Sequence, residues 1–160
     1  MRGDETTTEI IILAYGMEKG LGECYANLST LTDDPDVTRL FTQLAVFEEN
    51  HSQKLFKLYS TLTPEVPDKE EFETGIVSEI MEGGFTAEEF LEKNRSAMQA
   101  AEDVLSVAMM LEAQALDLYL RYSRKTKEEK TRKVLYTIAE DEKAHLTALG
   151  SLMEANIHES

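Results

Sequence analysis

A spacing of acidic and imidazole side chains occurs twice in the chain and limits its possible folds more than any other feature. The spacing is a glutamate followed 30 residues later by Glu-x-x-His. The six residues, in two sets 94 positions apart, are Glu18, Glu48 and His51, then Glu112, Glu142 and His145. This repetition predicts that the two halves of the chain form equivalent units, and that each half contributes the same kinds of side chain to a common site.

Hydrophobic periodicity near 3.6 residues predicts four long helices, over about 8–31, 35–62, 101–124 and 127–154. Asp34 followed by Pro35 is typical of a helix start, with the aspartate as N-cap. Thr126 and Glu129 have the spacing of a capping box ahead of the fourth helix. The sequence therefore predicts an all-α fold, a four-helix bundle of two antiparallel hairpins joined by one long crossover.

The crossover between the hairpins contains two of the three prolines and several glycines. Thr86 and Glu89 have the spacing of a capping box, which predicts a short helix within it. A length of 160 residues suits a single domain. We expect one domain over residues 1–160, with the bundle core at about 8–154.

The repeated acids are predicted to face the core. Glu18 and Glu48 are equidistant from the predicted turn, at a height of about 20 Å in the hairpin. Leu44 and Phe47, which precede Glu48, lie on the same predicted inward stripe. Burying four carboxylates and two imidazoles without compensation would be prohibitive, whereas two divalent cations would neutralise the four negative charges. The sequence therefore predicts a site for two metal ions.

The predicted ligands also indicate the metal. Carboxylates that can bridge two ions, together with imidazole, suit iron or manganese better than a structural zinc site, which prefers cysteine and histidine. Six protein ligands shared by two ions would leave coordination positions open for dioxygen or peroxide.

With these residues the sequence resembles the ferritin-like superfamily, and within it the rubrerythrin-type domain of di-iron carboxylate proteins, over about 8–154. The resemblance implies two iron ions, with manganese possible, and no catalytic residues beyond the metal ligands. It implies that Glu18 and Glu112 are terminal ligands and that the Glu-x-x-His carboxylates bridge. It also implies that Tyr25 and Tyr119, two turns after their glutamates, donate hydrogen bonds to ligand carboxylates.

The function implied by the resemblance is that of an oxidoreductase that reduces hydrogen peroxide or dioxygen with ferrous iron, as a peroxidase or ferroxidase in oxidative stress. The alternative is an iron carrier or storage module without peroxidase turnover, and a catalytically silent helical scaffold is a third interpretation. Two differences from the family limit the comparison. Ala115 stands where many rubrerythrins have a further glutamate, and a single cysteine excludes the paired CxxC motifs of a rubredoxin domain. Electrons are therefore expected from a separate donor protein or from substrate iron.

Charge and hydropathy indicate the expected surroundings. A net charge of -15 disfavours nucleic acid as a partner. The longest apolar run is far shorter than the roughly 20 residues of a membrane-spanning helix, and no secretory signal is recognisable, so we expect a cytoplasmic protein without membrane contact. The consecutive apolar residues Ile10, Ile11, Ile12 and Leu13 cover more than one helix face, which favours packing in a homodimer.

Overall fold

The computed structural model describes residues 6–62, 92 and 100–159, and in these the secondary structure is helical without strands. The four long helices are α1 (Thr7–Leu28), α2 (Pro35–Leu62), α3 (Ala101–Lys125) and α4 (Glu129–Glu159). Each lies within a few residues of its predicted span, which confirms the all-α four-helix bundle. The short helix expected after Thr86 lies outside the described residues.

The first two helices begin at side-chain caps. The Oγ1 atom of Thr6 accepts the backbone N–H of Glu9 at 3.3 Å, and the Glu9 carboxylate accepts the N–H of Thr6 at 2.8 Å. At the start of α2, Oδ1 of Asp34 accepts the N–H groups of Asp36 and Val37 at 2.9 and 3.2 Å. These bonds satisfy N–H groups that have no partner within the helix. The Asp34 cap is confirmed.

The capping box predicted for the fourth helix is wrong. Thr126 instead ends α3, with its backbone N–H bonded to the carbonyl of Tyr122. The carboxylate of Glu128 accepts the N–H groups of Lys130 and Thr131, at 3.1 and 2.6 Å, and so satisfies the first turn of α4. Because a carboxylate accepts more than one N–H and suits the positive end of the helix dipole, Glu128 serves where the threonine was expected.

The helices pack as two hairpins, α1 with α2 and α3 with α4, and the hairpins meet through α1 against α3 and α2 against α4. The predicted inward stripes form the core, including a stacked pair of Tyr25 and Phe41 whose ring centroids are 5.8 Å apart. Phe47 is the main exception, because 48% of its surface is exposed. It lies between α2 and α4, where its ring packs on His145 rather than inside the core.

Helix α1 is buried on more than one side. Of its consecutive apolar residues, Ile10 and Ile11 are both buried within the single chain, while Leu13 is 36% exposed. Cys24, which is on a different face from Glu18, is also fully buried. The chain itself therefore covers much of the surface that suggested a homodimer, and the homodimer stays a prediction. No helix in the described parts of the chain has the length and apolar character needed to cross a membrane.

Candidate metal centre

The fold brings all six repeated residues together at the middle of the bundle. Helices α1 and α3 each contribute one glutamate, and α2 and α4 each contribute a Glu-x-x-His pair, whose side chains share a helix face. The carboxylates of Glu18, Glu48, Glu112 and Glu142 are 0% exposed, and the two histidines are almost as deeply buried.

The six side chains form two overlapping groups. Glu18 and His51 complete one group, Glu112 and His145 complete the other, and Glu48 and Glu142 belong to both. Within each group the ligand-type atoms all lie within 4.8 Å of one another. We call these groups the His51 position and the His145 position. The two shared residues are the Glu-x-x-His glutamates, and the bridging role that the resemblance implies for them stays a prediction.

The contacts of His51 show how a cation would be held. Its Nδ1 atom lies 3.4, 3.3 and 3.2 Å from carboxylate oxygens of Glu18, Glu48 and Glu142. One nitrogen can donate only one proton, so these contacts cannot all be good hydrogen bonds. Atoms bound at about 2.1 Å to a common ion stand roughly 3.0–3.4 Å apart, which is the spacing seen here. The atoms are placed as ligands around a common point.

Several buried polar atoms in the cluster have no hydrogen-bond partner. They are Oε1 of Glu48, Oε2 of Glu112, both carboxylate oxygens of Glu142, and Nδ1 of His145. Such atoms normally cost free energy, because they give up bonds to water and gain nothing in return. Divalent cations would satisfy all of them and would balance the charge of four carboxylates. The residues present therefore fit two ions, and their oxygen and imidazole donors suit iron or manganese.

Protonation in the metal-free cluster reflects the same conflict. Burial raises the pKa of Glu142 to about 11, and burial followed by the charge of Glu18 raises the pKa of Glu48 well above its usual value. Burial alone would lower the pKa of His51, but its contacts with the carboxylates outweigh that and raise it. Burial would likewise raise the pKa of Glu112, yet contacts with Glu142 and His145 lower it. Without metal, protons supply part of the positive charge that the cluster requires.

The two tyrosines connect the hairpins. The hydroxyl of Tyr25 donates to Oε1 of Glu112 at 2.8 Å, and the hydroxyl of Tyr119 donates to Oε1 of Glu18. Each tyrosine thus contacts the glutamate of the opposite hairpin rather than the one that precedes it in sequence. Burial, followed by the neighbouring carboxylate charges, raises the pKa of both hydroxyls well above the usual value, so both remain donors.

Asp141 is a candidate site residue that the sequence pattern did not predict. Its Oδ2 atom lies 3.0 Å from Nε2 of His51, on the side of the ring opposite the cluster. A carboxylate in this place fixes the orientation of the imidazole and makes its other nitrogen a better ligand. The sequence signal was available, because Asp141 immediately precedes the repeated Glu142. The contact itself depends on how the two hairpins meet.

The His145 position has no equivalent carboxylate among the described residues. The residue 94 positions before Asp141 is Phe47. Its ring packs on the imidazole of His145, with centroids 5.2 Å apart and planes at 53°. The two positions therefore have matching ligands but different surroundings. His51 is held by an anion, whereas His145 is covered by a half-exposed aromatic ring.

Comparison with known proteins shows similarity in sequence family and in fold. The rubrerythrin family model matches residues 9–153. A solved structure of a hypothetical protein from Pyrococcus furiosus has a TM-score of 0.73 with this chain, at 24% identity, and the alignment covers 99% of this chain and 95% of the other. That structure supports the fold alone. No curated protein matches the sequence.

Proposed function

The chain belongs to the rubrerythrin family, and from that premise we propose that it is a di-iron oxidoreductase that reduces hydrogen peroxide or dioxygen with ferrous iron. The observation that carries the proposal is the pair of overlapping ligand groups, which are buried and share Glu48 and Glu142. A site for a single ion would need only one such group, whereas two groups that share two carboxylates suit two neighbouring ions.

Two ferrous ions would together supply two electrons, the number needed to convert one hydrogen peroxide and two protons into two waters. Shared carboxylates hold the two positions close together, so that both oxygen atoms of the oxidant can be bound in one site. The apolar residues around the cluster exclude bulk water and keep the ligand geometry fixed.

The neighbouring side chains support this role in different ways. Tyr25 and Tyr119 orient Glu112 and Glu18, and as protonated hydroxyls they can keep these hydrogen bonds while the charge of the site changes. Asp141 orients His51. Phe47 packs on His145 at the position that corresponds to Asp141, so among the described residues His145 has no counterpart of the carboxylate that orients His51. Two partly exposed side chains, Asp141 and Phe47, thus contact the histidines of the cluster at the seam between α2 and α4.

Stoichiometric oxidation tests the proposal. Protein loaded with Fe²⁺ without oxygen should bind two ions per chain, and one equivalent of hydrogen peroxide should oxidise both, as followed by the ultraviolet-visible spectrum. Addition of a reductant should restore the starting spectrum and allow repeated cycles.

Matched variants distinguish ligation from surface charge. Glu142→Gln should abolish binding of the ion pair, whereas Glu140→Gln, two residues away and exposed, should bind two ions like the original protein. Uptake of many ferric ions per chain, without repeated peroxide turnover, would support the iron carrier or storage alternative instead. Failure to bind either iron or manganese would leave only the helical scaffold.

The proposal also includes predictions about the electron source, the oligomeric state and the cellular location. The electrons are expected from a separate donor protein or from substrate iron, because the 160 residues contain one cysteine and no paired CxxC motif. The homodimer and the cytoplasmic location stay predictions from the sequence.

A further inference from the structure

A groove lined by lysines lies on the seam between α2 and α4. Its volume is about 280 Å³, and its floor includes Leu58 and Val134. Four lysines surround that floor, namely Lys54 and Lys57 from α2 and Lys130 and Lys133 from α4. We call this feature the lysine groove. It holds four of the 16 basic residues of a chain whose net charge is -15.

The internal repeat supplies a comparison for the lysine groove within the same molecule. A second groove lies at the other end of the α2–α4 seam, and shifting the residues of the lysine groove by 94 positions reproduces its lining. The equivalents of the four lysines there are Ala148, Ser151, Asp36 and Arg39. The last two form an ion pair with a 3.2 Å contact. The fold thus forms the groove twice. The lining of the lysine groove has a net charge of +4, whereas the charges of Asp36 and Arg39 cancel in the second groove, which we call the neutral groove.

The four lysines are exposed, and among the described residues none of them forms a side-chain ion pair. Like charges gathered around an apolar floor repel one another, so they do not serve the stability of the bundle. Such a patch attracts and orients negatively charged partners, particularly on a protein that would otherwise repel them.

The position of the lysine groove relates it to the metal centre. Lys54 is three residues from His51, about 4.5 Å along the helix axis, and Thr137 of the groove is one turn from Asp141. The hydrogen bond from His51 to Asp141 therefore lies at the inner end of the lysine groove. The neutral groove lies at the Phe47 end of the seam. The two halves of the repeat differ in the charge of the groove and in the residue that contacts the histidine. The lysines and Asp141 both lie on the His51 side.

We propose that the lysine groove is the docking surface for an acidic one-electron carrier protein that reduces the metal centre at the His51 side. The inference rests on the proposed function. The carrier loses one electron at each encounter, and two encounters return the two electrons that one peroxide removes. Flexible lysines with no buried polar partner favour a transient, salt-sensitive complex over a tight pocket for a small anion.

Binding of a fluorescent poly-glutamate peptide, followed by anisotropy, tests the docking surface without metal. The original protein should bind at low salt, and affinity should fall steeply as salt is raised. Lys54→Gln with Lys57→Gln should weaken binding at least tenfold. The matched control is Ala148→Glu with Ser151→Glu, which lowers the net charge by the same two units at the equivalent positions and should change affinity less than twofold.

Electron delivery is tested on the oxidised, metal-loaded protein with a negatively charged sulfonated viologen as reductant. Its reaction should slow several-fold in the lysine variant and not in the control. Equal effects of both variants, absence of peptide binding, or stoichiometric competition by inorganic phosphate would overturn the proposal. Self-association that the lysine variant abolishes would also overturn it, by assigning the lysine groove to a second copy of the chain.

The same samples distinguish failure of this inference from failure of the proposed function. A single addition of peroxide to the ferrous protein needs no carrier, so the original protein and both variants should be oxidised at the same rate. If the original protein is not oxidised at all, the proposed function fails, whatever the peptide binds.

Discussion

Replacing Asp141 by asparagine should weaken one metal position and leave the other almost unchanged. Loss of a hydrogen-bonded partner behind a metal-ligating histidine typically lowers affinity by about 10- to 100-fold. Asp141 accepts from His51 at 3.0 Å, but its side chain is 41% exposed, so water can replace part of the interaction. We therefore expect about tenfold weaker binding at the His51 position, or about 1.4 kcal/mol.

The internal repeat provides the reciprocal variant. Phe47→Asp places a carboxylate at the position equivalent to Asp141, where it should reach the imidazole of His145 and strengthen that position by a similar factor. Anaerobic Co²⁺ titration can assign the two positions, because a bound paramagnetic ion shifts the ring N–H proton of its own histidine in NMR spectra. Equal weakening of both positions in Asp141→Asn, or no weakening at either, would refute the reasoning.

Four other perturbations test the buried cluster. Glu142→Gln should raise the free energy of unfolding of the metal-free protein at pH 7 by up to roughly 3 kcal/mol. The reason is that the Glu142 carboxyl group must bind a proton on folding, whereas glutamine needs none. Chemical denaturation of this variant and of the control Glu140→Gln checks the prediction. Tyr25→Phe should keep both ions but cost about 1–2 kcal/mol, since Glu112 loses a buried donor; elemental analysis and thermal unfolding together would reveal a contrary result. The pKa of Glu142 rises from 4.5 to about 11 on folding, so the metal-free protein should lose stability as pH rises between those values. Ions must displace that proton, so the gain in melting temperature on adding Mn²⁺ should grow from pH 6 to pH 8, and a constant gain would contradict the assignment.

The local pattern of the sequence was enough to predict the helices and the inward position of the ligands. Glu18 and Leu21 lie on the apolar stripe of α1, and both are buried as expected. The stripe has the period of the helix itself, and the 30-residue spacing follows from folding a hairpin at its midpoint. Such features depend on residues close in sequence or on a single turn.

Capping was less predictable, because several polar residues near a helix start compete for the same N–H groups. Thr126 matched a known pattern, yet Glu128 satisfies the first turn of α4. The difference is one of backbone path at the turn, which the residue types alone do not specify.

The sequence by itself therefore determined the four helices, the repeat and the six ligand-type side chains. Only the docking of the two hairpins decided that Tyr25 contacts Glu112 and that His51 contacts Asp141, residues about 90 positions apart. Docking also placed Phe47 on a histidine at the seam rather than within the core. The physical reason is that helical periodicity selects a face, whereas partners across a seam depend on the relative height and rotation of two rigid units.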